Sequence, residues 1–449
     1  MGSIERPYDV LIIGAGLSGL CSLYHIRQQF PSWKAKVLEA SSVTISYQFS
    51  WDKEILQEWD WRETYAPQAE TLRYIEYVCA KHDLRRDIQF NTRVKTARWG
   101  GGGDQMWEVE DEDGRAYRAR FFVSCLGVLS SPTLPAIPGI ERFGGMLFHT
   151  SRWPRDFDMA SEFAGKRVGV IGTWATGIQT ITEVAKEASI ESLHMREIKA
   201  RYDETFKQCA ETPSGFLHSA DAHKTTEVTP AEMFGLWEKR YAEPGFGRWL
   251  GVFSDTYTDR EANRLYSEFM ADKIQARVSD PKLAEALIPK DHGFGLRRVP
   301  LESGYFEVYD SPKVHLVNLR ETPFERATEC GLVTADGTEY ELDVMPFGNI
   351  PRSIEHAVDV VTQLLAFCEE NGYSYVEPSK EAVDEWTEHV VSCSEGALTN
   401  EVSSWLTGVN TNVDGKQERT VAKYCGSAVD YRKRCRQCRL AGWKGFVFA

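Results

Sequence analysis

The stretch Tyr8-Asp-Val-Leu-Ile-Ile-Gly-Ala-Gly-Leu-Ser-Gly19 decides the fold of the N-terminal part of this chain. Its apolar run is short and ends in glycine, which is typical of a strand buried on both faces. Apolar residues then recur at helical spacing, and a second apolar run extends from Ala35 to Glu39. The order strand, glycine turn, helix, strand predicts a βαβ unit.

The spacing of the glycines indicates a dinucleotide site. Gly14 permits a tight turn, Gly16 lets backbone amides approach a pyrophosphate, and Gly19 lets the helix pack closely on the strand. The positive end of the helix then faces the phosphates. Glu39 ends the second strand, where an acid binds ribose hydroxyls and repels a 2′-phosphate, so FAD or NAD fits better than NADP. A purely structural turn is the alternative.

A second glycine loop, Gly172-Thr-Trp174-Ala-Thr-Gly177, follows the apolar run 166–172, which we expect to be a strand. Trp174 replaces the middle glycine, and its bulk is expected to obstruct a pyrophosphate. Arg196 stands where the first unit has its acid, and a cation there suits the 2′-phosphate of NADP. Two interpretations stay open: a working NADP site, and a fold retained without its ligand.

Composition narrows the function classes. The 449 residues allow two or three domains with large cores, and the net charge of −14 argues against sequence-independent nucleic-acid binding. The sequence has no run of 18 apolar residues, so no membrane span is predicted. Ten dilute cysteines favour a reducing, cytoplasmic setting. The one close pair, Cys435 and Cys438, lacks the further ligands of a zinc site, and no metal is expected.

The linker between the two units carries a more specific pattern, Phe143-Gly-Gly145-Met-Leu-Phe-His149-Thr-Ser-Arg-Trp153-Pro154. It resembles the fingerprint Phe-x-Gly-x-x-x-His-x-x-x-Trp-Pro of class B flavin monooxygenases of the Baeyer–Villiger type. Other segments resemble the same family over nearly the whole chain, namely 65–74, 85–90, 294–298, 305–309, 404–410 and 442–446. The likeness is greatest to fungal members that act in secondary metabolism.

The resemblance implies an α/β protein with two Rossmann-like domains, in which the NADP-binding domain is inserted into the FAD-binding domain. On this pattern, residues 1–140 are the first part of the FAD-binding domain. Residues 141–340 are the NADP-binding domain with a helical insertion, and residues 341–449 are the C-terminal part of the FAD-binding domain.

The resemblance also implies the chemistry, in which NADPH reduces FAD and the reduced flavin activates molecular oxygen. One oxygen atom is then inserted next to the carbonyl of a small organic ketone, which is a Baeyer–Villiger oxidation. Oxygenation of nitrogen or sulfur by the same enzyme class is an alternative. A further alternative is an inactive homologue that binds a nucleotide or a partner.

Individual residues take their roles from the same resemblance. Arg298 aligns with the active-site arginine of the family, and Arg297 aligns with a neighbouring cation near the NADP phosphate. His149 aligns with the fingerprint histidine, for which we expect a structural role linking the two domains. Trp153 aligns with the fingerprint tryptophan near the cofactors.

Two departures from the family pattern predict internal deletions. After Ala40 the family has a segment that covers the flavin and carries an aspartate paired with the active-site arginine, whereas here 41–47 runs straight on. After Met345 an Ala-Thr-Gly turn is expected, but Pro346-Phe-Gly-Asn-Ile-Pro351 follows, which resembles a segment far downstream. Both departures lie in the FAD half, and the sequence contains no evident equivalent of the aspartate.

The substitution Trp174→Gly tests whether the indole obstructs the second loop. If it does, the glycine variant binds NADPH more tightly than the wild-type chain, because the backbone can approach the pyrophosphate. Fluorescence titration with NADPH measures the change. An unchanged or weaker affinity would mean that the loop accommodates the indole.

Overall fold

A computed structural model describes residues 7–40, 49–62, 66, 68–100, 105–127, 137–150, 152–154, 157, 159–172, 175–185, 202–347, 355–404, 407–409, 419, 421 and 424–449. The predictions for Trp174 and Arg196 fall outside these residues.

The described elements begin with a βαβ unit and two further helices, followed by a run of strands, a run of helices, a second run of strands and a mixed C-terminal part. The strands are β1 Tyr8–Ile13, β2 Ala35–Leu38, β3 Ile88–Gln89, β4 Val94–Trp99, β5 Trp107–Asp111, β6 Ala116–Ser124, β7 Met146–His149, β8 Phe324–Ala327, β9 Gly331–Thr334, β10 Glu339–Glu341, β11 Val344–Phe347, β12 Val376–Pro378 and β13 Phe446–Phe448. The helices are α1 Leu17–Gln29, α2 Lys53–Glu58, α3 Gln68–Lys81, α4 Met159–Phe163, α5 Ala175–Ala185, α6 Tyr202–Glu211, α7 Pro230–Ala242, α8 Gly247–Leu250, α9 Arg260–Gln275, α10 Pro281–Leu287, α11 Glu355–Asn371, α12 Lys380–Ser392 and α13 Ala428–Leu440.

The N-terminal βαβ prediction is confirmed by β1, α1 and β2. Six strands form one sheet in the order β3-β2-β1-β6-β5-β4, in which β1 runs parallel to β2 and to β6. The strands β4, β5 and β6 form an antiparallel meander at one side of the sheet. The first glycine loop follows β1, so it lies at the carboxyl edge of the parallel strands, where α/β folds bind ligands.

The C-terminal helix α11 belongs to the same hydrophobic core as this sheet. Leu365 and Cys368 of α11 are buried together with Leu20 of α1 and Val10 of β1. Segments more than 300 residues apart in sequence thus share one apolar interior, which is the arrangement that a domain interrupted by an insertion requires.

The second βαβ unit departs from the expectation in one respect, because the run 166–172 is not a regular strand. It lies beside β11, with bonds from the Gly169 amide to the Val344 carbonyl and from the Ile171 amide to the Pro346 carbonyl. A continuous ladder between the run 166–172 and β11 also needs an amide hydrogen at position 346, and proline has none. The prediction of a regular strand over 166–172 was therefore wrong, since Pro346 removes the backbone hydrogen bond that would make the pairing continuous.

The helical region between the glycine loops and the C-terminal part has its own core, centred on Trp237 and Tyr266. Asp255 is buried and ties this region together, because its carboxylate accepts from the amide and the hydroxyl of Thr225. The α/β fold class with Rossmann-like organisation is confirmed. Among the described helices, none is long and apolar enough to cross a membrane.

Replacing Leu365 by alanine tests whether α11 stabilises the core of the first sheet. Leu365 is 5% exposed, whereas Val361 on the same helix is 37% exposed. Leu365→Ala should lower the free energy of unfolding by about 2 to 4 kcal/mol, and Val361→Ala by at most about 0.5 kcal/mol. Urea denaturation measures both, and equal losses in the two variants would contradict the shared core.

Candidate functional site

The first glycine loop has a geometry that only glycine permits. Gly14 has φ of +100°, and a Cβ there would lie 2.8 Å from the carbonyl oxygen of Cys125. A Cβ on Gly19 would lie 1.8 Å from the carbonyl oxygen of Gly14, far inside van der Waals contact. The start of α1 is therefore pressed against the turn that follows β1, as the glycine spacing predicts.

The N-terminus of α1 is open to an anion. Gly16 is its N-cap residue, no side chain caps the helix, and its first turn contains no acidic residue. The first-turn amides of a helix have no partner within the helix, and together with the helix dipole they attract phosphate. The loop thus fits a pyrophosphate both sterically and electrostatically.

Glu39 lies beside the same loop. Its Oε2 atom accepts a hydrogen bond of 2.6 Å from the amide of Ala15, between the first two glycines. This bond fixes the carboxylate next to the turn, where an acid meets the ribose hydroxyls of a bound dinucleotide. The structure therefore brings Gly14, Gly16, Gly19 and Glu39 together.

The second glycine loop repeats this geometry. Gly172 has φ of +119°, and a Cβ on Gly177 would lie 2.1 Å from the carbonyl oxygen of Gly172. The first turn of α5 has no acidic residue. The close contact between turn and helix is therefore kept in the second unit, although its middle glycine is replaced.

A large cleft of about 2330 Å³ lies between the second glycine loop and the helical region. Gly172, Arg297 and Arg298 line it, together with residues of α9 and of the segment 311–321. The residues of the first glycine loop are not among its lining. The cleft therefore unites one glycine loop with both predicted arginines.

Arg298 lines this cleft, and part of its guanidinium is buried. Its Nε atom is buried and has no hydrogen-bond partner. In the part of the chain that the structure describes, Arg298 makes no ion pair. A buried guanidinium nitrogen without a partner is costly, and such atoms mark sites where a ligand supplies the missing hydrogen bond.

Arg297 belongs to a charged network that sequence reasoning missed. Its Nη2 donates to Asp291 Oδ2 over 2.9 Å, and Arg320 Nη2 lies 2.8 Å from the same oxygen. His292 Nδ1 lies 2.7 Å from Asp291 Oδ1. Burial raises the pKa of Asp291, but the bonds from His292 and Arg320 and the charge of Arg297 outweigh it and hold this pKa well below its usual range.

The fingerprint residues lie at the start of the second unit. His149 ends β7 and is paired in register with Phe347 of β11, and burial together with the charge of Arg152 lowers its pKa. The ring of Trp153 packs 4.8 Å from that of Phe148 and 5.2 Å from that of Phe157. The structure shows packing roles for this stretch, and cofactor contacts of His149 and Trp153 stay a prediction.

The possible metal ligands and the cysteines are scattered over the described residues. They contain no group of three His, Cys, Asp or Glu side chains that could hold a metal ion. All ten cysteines are free thiols, including Cys435 and Cys438 on α13.

Comparison with known proteins gives concordant matches. The family model for flavin-binding monooxygenase-like proteins matches residues 56–197. A 2-oxo-Delta(3)-4,5,5-trimethylcyclopentenylacetyl-CoA monooxygenase of Pseudomonas putida is 32% identical, over 98% of this chain and 98% of the relative. A phenazine N-monooxygenase of Lysobacter antibioticus is 28% identical, over 99% of this chain and 97% of the relative. The crystal structure of OTEMO with FAD and NADP matches with a TM-score of 0.88 and 30% identity, over 98% of this chain and 99% of that one.

The alignment with the Pseudomonas relative is longer than this chain. It spans 540 positions, which exceeds the 449 residues here by 91. At least that many positions of the alignment therefore have no residue in this chain.

Replacing Gly19 by alanine tests the contact that shapes the first loop. The added Cβ collides with the Gly14 carbonyl, so Gly19→Ala should lower the free energy of unfolding by about 2 kcal/mol or more. The control is Gly235→Ala in α7, where a Cβ meets nothing within 4 Å and should stabilise the helix slightly. Thermal and urea unfolding measure both. A neutral Gly19→Ala would contradict the close packing.

Proposed function

Since this chain belongs to the flavin-binding monooxygenases of the Baeyer–Villiger type, we propose that it uses FAD and NADPH to insert one oxygen atom of O₂ next to the carbonyl of a small ketone. The observation that carries this proposal is the repeated loop geometry. Two turns with φ near +100° each press a glycine of the following helix against a carbonyl, at Gly14–Gly19 and at Gly172–Gly177. Two dinucleotide sites in one chain are what a two-cofactor oxygenase needs.

The first loop would hold FAD. The amides at the start of α1 would bind the pyrophosphate, and Glu39, fixed by the Ala15 amide, would bind the adenosine ribose. Bound FAD, once reduced by NADPH, supplies the activation of oxygen, because no protein side chain performs that chemistry alone.

The second loop and the cleft would hold NADPH. The start of α5 would bind the pyrophosphate, while Arg297, and Arg196 by its sequence position, would meet the 2′-phosphate. For His149 and Trp153 we propose an indirect role. They fix the segment that leads from β7 into this domain, and their packing supports that role.

Arg298 would act on the reacting atoms. A guanidinium held in a cleft, with no acid among the described residues to neutralise it, is preorganised to stabilise negative charge on oxygen as that charge develops. It also orients the ketone oxygen by hydrogen bonding. We therefore propose Arg298 as the catalytic residue.

The domain boundaries follow the same proposal. Residues 1–140 and 341–449 would form the FAD-binding domain, and residues 141–340 the NADP-binding domain with its helical insertion. The core shared by α1 and α11 supports the first assignment. Cysteines that are all free thiols support a cytoplasmic location, and the fungal resemblance supports a role in secondary metabolism.

We further propose that the missing positions lie after Ala40 and after Met345. Two observations support this placement. Beyond Ala119, the side of β6 that faces β5 pairs with no strand among the described residues, which leaves an edge for a further strand. Pro346 also interrupts the ladder between β11 and the run 166–172 directly after Met345.

Oxygenation of a heteroatom is the second candidate function, favoured by the similarity to the phenazine N-monooxygenase. Assays with a ketone, a tertiary amine and a sulfide as substrates distinguish the two candidate functions. The ketone should accelerate NADPH oxidation and yield an ester or lactone detectable by mass spectrometry. Faster turnover with the amine or the sulfide would support the second candidate. A chain that takes up no flavin would be an inactive homologue.

The variant Arg298→Ala tests the catalytic assignment. It should reduce product formation at least about 100-fold, because the developing charge loses its stabilising cation, while flavin uptake is unchanged. Arg326→Ala is the control, since this exposed arginine pairs with Glu325 on the surface and should behave as the wild-type chain. Product formation by Arg298→Ala at the wild-type rate would refute the assignment.

A further inference from the structure

The segment that carries Arg298 is fastened to α9 on its N-terminal side. The Phe294 carbonyl accepts a hydrogen bond of 3.1 Å from Asn263 Nδ2, and the Phe294 amide donates to Ser267 Oγ over 2.8 Å. Asn263 is 4% exposed, so water has little access to its side chain. Two side chains of α9 therefore hold both backbone groups of Phe294, four positions before Arg298.

On its C-terminal side, the same segment is fastened just beyond the last residue of α9. Arg277 Nη1 and Nη2 donate to Glu302 Oε1 and Oε2 over 2.8 and 3.1 Å, while its Nε and Nη2 donate to Glu307 Oε1 and Oε2 over 2.6 and 2.8 Å. The Glu302 side chain is 9% exposed. Paired arginine–carboxylate bonds of this kind fix geometry as well as charge. One guanidinium thus holds two glutamates that follow Arg298.

The stretch between these two fastening points, residues 294–302, has little slack, and we call it the bridge. Asn263 and Arg277 are 14 positions apart in sequence, which is about 21 Å along a helix. The eight steps of the bridge reach at most about 28 Å when fully extended. Pro300 restricts the bridge further, because its ring fixes φ and disfavours helical backbone at the preceding residue. The proposed catalytic arginine therefore lies on a short connection between two points of one helix.

The backbone around Arg298 depends on side chains for its position. Residues 297–300 belong to no helix or strand among the described elements, so no regular hydrogen-bond pattern fixes them. A misplacement of about 1 Å in a group that acts on reacting atoms can cost about 100-fold in rate. The side chains that hold the two ends of the bridge therefore bear on the rate of any reaction that Arg298 assists.

We propose that Arg277 is a positioning residue for the proposed oxygenation: by holding Glu302 and Glu307 at the end of α9, it keeps Arg298 at its place in the cleft. The side chains at the N-terminal fastening point hold the opposite end of the bridge. The inference rests on the proposed function and extends it, since it gives residues of the helical region a role that they exert through Arg298 rather than on the reacting atoms.

The substitution Arg277→Gln tests the role of the guanidinium. It releases the C-terminal end of the bridge and should lower kcat for product formation about tenfold, with KM for the ketone and for NADPH changed less than about twofold. Arg277→Lys keeps the charge but cannot bind both glutamates in paired fashion, and should not restore the wild-type rate. A raised KM with unchanged kcat, or full rescue by lysine, would overturn the inference.

The matched control is Arg264→Gln on the same helix. Arg264 also pairs with two glutamates, Glu261 and Glu268, but both of them belong to α9 itself. The control variant loses the same number of partners without releasing the bridge, so its product formation should equal that of the wild-type chain. A tenfold loss in this control would contradict the assignment to Arg277.

Combining Arg277→Gln with Arg298→Ala separates positioning from general support of the fold. If Arg277 acts through Arg298, the glutamine substitution should change product formation less than about twofold once the catalytic arginine is absent. The same tenfold loss in both backgrounds would mean that Arg277 supports the structure as a whole, and would overturn the inference.

Amide hydrogen exchange of the full chain without flavin measures the fastening directly. Arg277→Gln should speed exchange over 297–303 at least about tenfold, while α7 exchanges as in the wild-type chain. Ser267→Ala releases the other end of the bridge and should speed exchange over the same residues, and it provides the test if Arg277→Gln does not fold. Unchanged exchange over 297–303, or an equal increase in α7, would overturn the inference.

The outcomes distinguish this inference from the proposed function. A wild-type chain that oxygenates the ketone, together with an Arg277→Gln variant that matches it in rate and exchange, would overturn the positioning role alone. A folded wild-type chain that takes up flavin and oxygenates none of the ketone, the amine and the sulfide would overturn both.

Discussion

The contact between Gly19 and the carbonyl of Gly14 is the constraint on which the account depends. It leaves no room for a Cβ, and it brings the uncapped start of α1 to the carboxyl edge of the parallel sheet. The anion-binding properties ascribed to the first site follow from this close contact, because the helix amides and the helix dipole act on an anion only at short range. The same close contact occurs between Gly177 and the carbonyl of Gly172. Two such turns are what a protein with two dinucleotide cofactors needs.

The sequence predicted features whose physical cause is local. The glycine spacing and the acid at Glu39 describe one turn and one strand end, and the structure joins them through a single bond from the Ala15 amide. The run 166–172 has the same apolar pattern as β1, yet it is not a regular strand, because its neighbour contributes Pro346. A pattern within one segment cannot report a missing amide in the segment that pairs with it.

Asp291 shows the same limit within the candidate site. It lies close to Arg297 in sequence, but it acquires its role only because Arg320 approaches from a distant segment. Arg298 is the reverse case, since it was identified through family resemblance alone, and the structure adds that its buried Nε atom has no hydrogen-bond partner among the described residues.

The central claim is that the N-terminal half accepts a flavin, and equilibrium titration of the folded chain with FAD tests it most directly. Quenching of flavin fluorescence should saturate at one FAD per chain, and the isolated complex should be yellow. Gly14, Gly19 and Glu39 would then serve the purpose that their geometry indicates. Well-folded protein that shows no saturable uptake of FAD would contradict the account and leave a scaffold without its cofactor.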